Sequence, residues 1–175
     1  AARLHEIGLA LSHSKFHKHG SYLLQYADLP GFSTSVQAAI AALVRGHRRK
    51  LSTDIFADYD DGDIDALMKL TIILRLAVVL KHANVGMDVI EQSAKRRAVS
   101  ADGKAQLQRK DVALDAVPAQ RVPQGELPQV DVKAKGKNIT LQFEKDWLDD
   151  HPLTLSQLEA EVDYLANVGY TLTYQ

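Results

Sequence analysis

The stretch ALMKLTIILRLAVVLKHA, residues 66–83, decides the fold of this chain. It is apolar nearly all round at helical spacing, and a helix that is apolar on every face lies at the centre of a protein. Asp63 can cap its start. Arg75 interrupts the middle of the helix, and it requires a partner because an unpaired buried charge is very costly. Glu6 is the carboxylate we expect to pair with it.

Shorter helices are predicted on the N-terminal side of this central helix. Apolar residues recur at helical spacing over residues 3–12 and 17–27, and a capping box at residues 34–37 begins a third helix. The inward-facing side chains are expected to be Tyr22, Leu23 and Tyr26 in the second helix, and Val36, Ile40, Leu43, Val44 and His47 in the third.

The pattern changes after a further short helix predicted at residues 88–97. Residues 98–128 have weak periodicity and three of the five prolines, so a loop or flexible insertion is expected. VDVKA and NITLQFE then alternate apolar and polar residues around a possible turn at Lys135–Lys137, which favours a hairpin. A helix capped at Thr154 or Ser156 and a last strand, YTLTY, complete a β-β-α-β pattern.

Charge is distributed unevenly along the 175 residues. Residues 1–50 hold seven Lys and Arg against two acids, for a charge of +5, whereas the rest of the chain carries −6. Five of the seven histidines also lie in the basic part. This asymmetry indicates an anionic partner for the N-terminal third, and a merely solvated helix face is the alternative.

The composition excludes several classes of protein. The chain has no cysteine, so it has neither a disulfide nor a thiolate-ligated zinc. It has no apolar run long enough to span a membrane and no signal-peptide layout, and we expect a cytoplasmic protein. No nucleophile elbow and no glycine-rich phosphate loop is present. The uncapped start at Ala1 indicates a piece of a longer protein, and we expect no catalysis by this piece alone.

The segment Leu4-His5-Glu6-Ile7-Gly8 resembles the metal-binding signature of HD-domain phosphohydrolases. That resemblance implies a helical bundle in which histidines and a late aspartate ligate a divalent metal. Here glutamate replaces the first aspartate, and Val78 or Val79 stands where the last one would fall. His5, Glu6 and His47 are therefore candidates for a vestigial metal site, and no metal is expected in this chain. An intact HD phosphohydrolase that uses them is the alternative.

A longer resemblance is to the exopolyphosphatase and guanosine pentaphosphate phosphohydrolase family, Ppx/GppA. It is carried by AARLHEIGLALSHSKFHKHGSYLLQYADLPGFS, LVRGHRRKL, LRLAVVL and FEKDWLDDHPLTLSQLEAEVDYL. It implies a mainly α fold, with an HD-like bundle at residues 1–97, an insertion at 98–129 and a small α/β subdomain at 130–175. It also implies actin-like catalytic lobes with Mg²⁺ elsewhere in the parent enzyme, which would release terminal phosphate from polyphosphate or guanosine pentaphosphate.

The same resemblance implies that this portion binds inorganic polyphosphate and forms a homodimer, with no nucleic acid as natural ligand. The residues agree independently, because a flexible line of negative charge requires a track of cations. The candidates are two basic clusters that lie on one rim if the second and third helices pack together. They comprise Lys15, Lys18, His19, Arg45, Arg48, Arg49 and Lys50. A pure dimerisation module, or cations that merely favour a helix C-terminus, are the alternatives.

Overall fold

The computed structural model describes the backbone of residues 1–100 and 128–175, and the side chains of residues 1–82 and 128–175. Two short 3-10 helices span Ile7–Ala10 and Thr53–Phe56. The helices are α1 (Phe16–Tyr26), α2 (Thr34–Gly46), α3 (Asp61–Ser100), α4 (Trp147–Asp150) and α5 (Pro152–Ala166), and the strands are β1 (Asp131–Lys135), β2 (Asn138–Gln142) and β3 (Thr171–Tyr174). This is the mainly helical fold with a β-β-α-β C-terminal part that the sequence predicts.

The first helical segment is shorter than predicted, because a single 3-10 turn replaces a helix over residues 3–12. Gly8 lies against the backbone of α1, and a Cβ there would stand 1.9 Å from the carbonyl oxygen of Phe16 and 2.5 Å from the nitrogen of Gly20. The two glycines thus allow close packing of the chain start on α1. α1 buries Phe16, His17, Gly20 and Leu24 on this side.

The predicted apolar side of the second helix is therefore wrong. Tyr22 and Tyr26 are 63% and 69% exposed, and their rings pack on each other with centroids 4.7 Å apart. α1 begins only after Lys15, which has a left-handed backbone, so His13 and His17 do not share a helix face.

The start of α2 is capped by Ser33 rather than by the predicted box. The Ser33 hydroxyl accepts a hydrogen bond from the backbone N–H of Val36. The Gln37 amide instead reaches the end of α1, where it donates to the carbonyl oxygens of Leu24 and Ala27 at 2.8 and 2.7 Å. Gln37 thereby fixes α1 against α2, because it satisfies carbonyls that the end of a helix leaves without partners.

The central helix α3 packs as predicted in its first half, with two exceptions. Met68, Ile72, Leu76 and other apolar residues are buried, and Arg75 is fully buried. Leu70 and Ile73, however, are 50% and 63% exposed, so one stripe of the helix faces outward. The separate helix predicted at residues 88–97 is a continuation of α3. Residues 101–127, most of the expected insertion, lie outside the described residues.

The C-terminal part is a three-stranded sheet in the order β1-β2-β3 with α5 packed on it. β1 and β2 form the predicted antiparallel hairpin, with Gly136 at positive φ in its turn, and β3 pairs parallel to β2. α5 begins at Pro152, so Thr154 and Ser156 lie inside the helix rather than at its cap.

One hydrophobic core joins the helical part and the sheet. It includes Leu51, Phe56 and Ile72 from the helical part and Leu141 and Leu158 from the C-terminal part, all of them nearly inaccessible. The C-terminal part therefore packs along one side of the helical bundle, as far as the end of α2. In the described part of the chain, no helix combines the length and apolarity needed to cross a bilayer.

Candidate functional site

A basic groove of about 1270 Å³ runs between the start of α1 and the end of α2. The packing of α1 on α2, which Gly20 and Gln37 make possible, brings the two predicted basic clusters to its two sides. Six of the seven predicted binding residues line it: Lys15, Lys18, Arg45, Arg48, Arg49 and Lys50. His19 is half-buried and does not line it.

The groove cations have no acidic partners among the described side chains. None of the six forms an ion pair with residues 1–82 or 128–175. Five are exposed and Arg45 is half-buried. Asp54 and Asp58 also line the groove, but the Asp54 carboxylate accepts its bond from Ser52. Because the charges of the six cations add together, such a cluster creates a positive potential that attracts anions.

Two of the groove cations have a strained backbone. Lys15 and Arg49 have φ values of 56° and 66°, in the left-handed region that non-glycine residues avoid. Lys15 stands at the start of α1, and Arg49 stands in the turn that follows α2. Strain of this kind concentrates at functional sites, where a side chain is required although glycine would fit the backbone better.

Arg48 is positioned by an aromatic ring, since its guanidinium carbon lies 4.9 Å from the centroid of Phe16. This is the range of a cation–π contact. Phe16 is itself buried beside His47, with ring centroids 5.7 Å apart. The side chain of Arg48 is thereby held toward α1 instead of extending freely into solvent.

The buried partner of Arg75 is Glu161 of α5, and the expected pairing with Glu6 is wrong. The guanidinium donates Nε–H and Nη2–H to the two oxygens of the Glu161 carboxylate at 2.7 and 2.8 Å. Glu6 instead lies 3.6 Å from Lys81 and 3.4 Å from His5. Burial raises the pKa of Glu161, and the Arg75 guanidinium opposes that rise.

Three histidines cluster behind the groove. The ring of His47 lies 5.4 Å from that of His5 and 6.4 Å from that of His17, and all three are buried. The Nδ1–H groups of His5 and His47 donate to the carbonyl oxygens of Ala2 and Val44 at 2.7 and 2.6 Å. Each Nδ1 therefore carries a proton, and neither Nε2 atom has a hydrogen-bond partner among the described residues.

Burial keeps two of these rings neutral. Desolvation lowers the pKa of His47 to about 4, in spite of its bond to the Val44 carbonyl. The pKa of His17 is also lowered to about 4, first by burial and then by its neighbours His47, Arg45, Lys18 and Arg48, of which the last three are positively charged. The groove cations are thus close enough to disfavour a further positive charge in the wall behind them.

A second pocket, of about 780 Å³, opens on the other side of the Arg48–Arg49 turn. Arg48, Arg49 and His13 line both the pocket and the groove. The pocket walls are mainly apolar and aromatic, and five of the seven histidines line them: His5, His13, His47, His82 and His151. Burial lowers the pKa of His82.

Comparison with known proteins identifies the family that has this architecture. A family model described as Ppx/GppA phosphatase, domain III, matches residues 1–162. The chain belongs to the Ppx/GppA family. The guanosine-5'-triphosphate,3'-diphosphate pyrophosphatase of Pseudoalteromonas translucida (strain TAC 125) is 30% identical over 171 residues, which are 98% of this chain and 27% of that protein. The proteins of the same name in Vibrio parahaemolyticus serotype O3:K6 (strain RIMD 2210633) and Vibrio cholerae serotype O1 (strain ATCC 39315) are both 29% identical, over 98% and 100% of this chain. The chain spans 27% of the length of these relatives.

The histidine cluster of this Ppx/GppA domain does not fit a metal centre. Within residues 1–82 and 128–175, no group of three or more metal-ligating side chains converges. His5 and His47 bring two Nε2 atoms without hydrogen-bond partners, but the Glu6 carboxylate also faces Lys81, and Val78 and Val79 supply no ligand. Protein metal sites of this kind use three or four side-chain ligands, so the cluster lacks the ligand set that such a site requires.

Several residues of the Ppx/GppA domain near the site have no signal in the sequence. Glu161 lies 86 residues from Arg75 and looks like any acid on an amphipathic helix. His82, His151 and Tyr164 reach the pocket from two distant parts of the chain. Only the folded core brings them together around the pocket.

Proposed function

We propose that this domain is the phosphate-chain-binding part of a phosphohydrolase, and that the basic groove is the binding track. The observation that supports this best is the convergence of six cations that lack acidic partners among the described residues. Inorganic polyphosphate carries a negative charge at every phosphate, so it can contact several cations along the groove. Arginine suits its oxygens because the guanidinium is a planar fork of donors.

The parent enzyme would release terminal phosphate from polyphosphate or from guanosine pentaphosphate. Its catalytic carboxylates, phosphate loops and Mg²⁺ would belong to actin-like lobes outside this chain, as the family resemblance implies. The groove would hold the distal part of the phosphate chain while the terminal phosphate lies in those lobes. Binding of this kind adds affinity for long substrates through several contacts along one chain.

The experiment is binding of long-chain polyphosphate to the protein over a series of salt concentrations, with single-stranded DNA as competitor. The affinity should fall linearly with the logarithm of salt concentration, because each neutralised phosphate releases counterions. The double variant Arg48→Ala/Arg49→Ala should bind at least about tenfold more weakly, with a salt slope smaller by about two.

The matched control is Lys133→Ala/Lys135→Ala, which removes the same charge from the exposed hairpin strand β1. It should change the affinity less than about twofold, since it lies outside the groove. Equal losses in the two double variants, or polyphosphate binding no tighter than DNA, would mean that the groove is not a specific track.

A second candidate ligand is a nucleoside polyphosphate, and the pocket of about 780 Å³ favours it. An apolar pocket that shares Arg48 and Arg49 with a cationic groove could accept a base and ribose beside their phosphates. The relatives are named for a guanosine nucleotide. Ala160→Trp, which narrows the pocket from α5, should weaken GTP binding and leave tripolyphosphate binding unchanged. Equal effects on both would restrict the ligand to inorganic phosphate chains.

We also propose, from the family resemblance, that the domain forms a homodimer. α3 presents Leu70 and Ile73 on its exposed stripe, which is apolar surface available for burial. Sedimentation velocity on the wild type should give a dimer whose dissociation is increased by Ile73→Glu. A monomer at all concentrations would refute dimerisation by this chain alone.

A further inference from the structure

The Arg75 guanidinium uses all three of its nitrogens, and only part of this network is the ion pair with Glu161. Nη1–H donates to the carbonyl oxygen of Gly46 at 2.6 Å, and Nη2–H donates to the carbonyl oxygen of Arg49 at 2.8 Å. Gly46 is the last residue of α2, and Arg49 is three residues further on. Arg75 therefore holds both ends of the turn that carries Arg48.

Stability alone does not explain this arrangement. A buried ion pair can often be replaced by apolar side chains without loss of stability, because taking two charges out of water costs about as much as their attraction returns. Arg49, moreover, keeps a left-handed backbone that glycine would adopt without strain. The bonds from Arg75 hold this conformation in place while the Arg49 side chain lines the groove.

We propose that Arg75 and Glu161 are a positioning pair for the basic groove. Glu161 orients Arg75 from α5, and Arg75 fixes the backbone of the turn so that Arg48 and Arg49 face the groove before a phosphate chain binds. Neither member of the pair lines the groove. This inference rests on the proposed function of the groove, and it adds that the affinity is set partly by a carboxylate on the C-terminal helix.

The sign of the effect distinguishes positioning from simple electrostatics. Glu161→Gln removes a negative charge from behind a cationic groove, so an electrostatic effect alone would tighten polyphosphate binding. Loss of positioning would weaken it, because the amide cannot hold the guanidinium with two charged oxygens. The matched control is Glu159→Gln, which makes the same charge change at an exposed position of the same helix.

The experiment measures polyphosphate affinity for the wild type and both variants, at a temperature at which circular dichroism shows each to be folded. Glu161→Gln should bind about two- to thirtyfold more weakly, the range found for residues that act through others. Glu159→Gln should bind as tightly as the wild type or slightly more tightly. Arg75→Lys keeps the charge but has a single ammonium in place of the fork, and it should resemble Glu161→Gln.

Two results would overturn the positioning role. One is a folded Glu161→Gln or Arg75→Lys variant whose affinity matches that of Glu159→Gln. The other comes from NMR of the wild type, which requires no variant: the Arg75 Nε–H should already be protected from exchange with water before polyphosphate is added, because the turn is fixed in the free protein, and an Nε–H that becomes protected only on addition of polyphosphate would contradict the proposal. If the wild type does not bind polyphosphate at all, the proposed function of the groove fails instead.

Discussion

Acidification should destabilise the domain through His47, and the structure gives the magnitude. The folded protein holds this ring neutral with a pKa of about 4, against 6.5 for a free histidine. In the unfolded chain the ring takes up its proton as the pH falls through 6.5, whereas the folded protein does not until about pH 4. The unfolded state therefore binds more protons in this window, and stability is lost as the pH falls. At pH 4.5 the loss is on the order of 2 kcal/mol relative to neutral pH.

The assay is urea unfolding of the wild type and His47→Gln at pH 7.5 and 4.5. Glutamine does not titrate, so the variant should lose on the order of 2 kcal/mol less stability on acidification than the wild type does. His13→Gln is the matched control, because His13 is exposed, and it should behave like the wild type. If His47→Gln loses as much stability as the wild type between the two pH values, the buried neutral ring is not the cause.

Three further outcomes follow from the packing and the backbone. Gly8→Ala should cost about 3 kcal/mol of unfolding free energy, at the upper end for overpacking because the new Cβ meets backbone atoms, and urea unfolding measures it. Arg49→Gly should be about 1 kcal/mol more stable than Arg49→Ala, because alanine is strained at positive φ and glycine is not. Both variants should bind polyphosphate equally weakly. Equal stabilities of the two variants would argue against the left-handed turn. Ser33→Ala should cost about 1 kcal/mol through the lost cap of α2, whereas Ser35→Ala should cost less than half of that.

Local patterns predict most of the elements of this fold. Residue spacing and turn signals give α1, α2, the start of α3 and the hairpin within a few residues, because each depends on neighbours in the sequence. The apolar side of α1 is wrong because two glycines let backbone pack closely there, so the small residues are buried and Tyr22 and Tyr26 are left outside. Hydrophobic periodicity is read from the positions of large apolar side chains, and glycine does not contribute to it.

The candidate site also combines features that local sequence patterns predict with features that they do not. The two basic clusters are visible in the sequence because their cations are adjacent or one helical turn apart, and the contact between α1 and α2 brings them together. The partner of Arg75 is not visible, because burial predicts that a carboxylate is required but does not identify it. Glu6 is near a histidine motif, whereas Glu161 becomes the partner only when α5 packs on α3.

The distance along the chain between Arg75 and Glu161 has a consequence for synthesis. The two residues are 86 positions apart, so Arg75 leaves the ribosome well before its partner exists. At about 5–20 residues per second, the interval is roughly 4 to 17 s. During that time a central helix with an unpaired arginine cannot complete its core, and the turn that holds Arg49 has no fixed support. Within this domain, the basic turn at residues 46–49 is therefore made well before α5, and it is held in its final conformation only after α5 is translated.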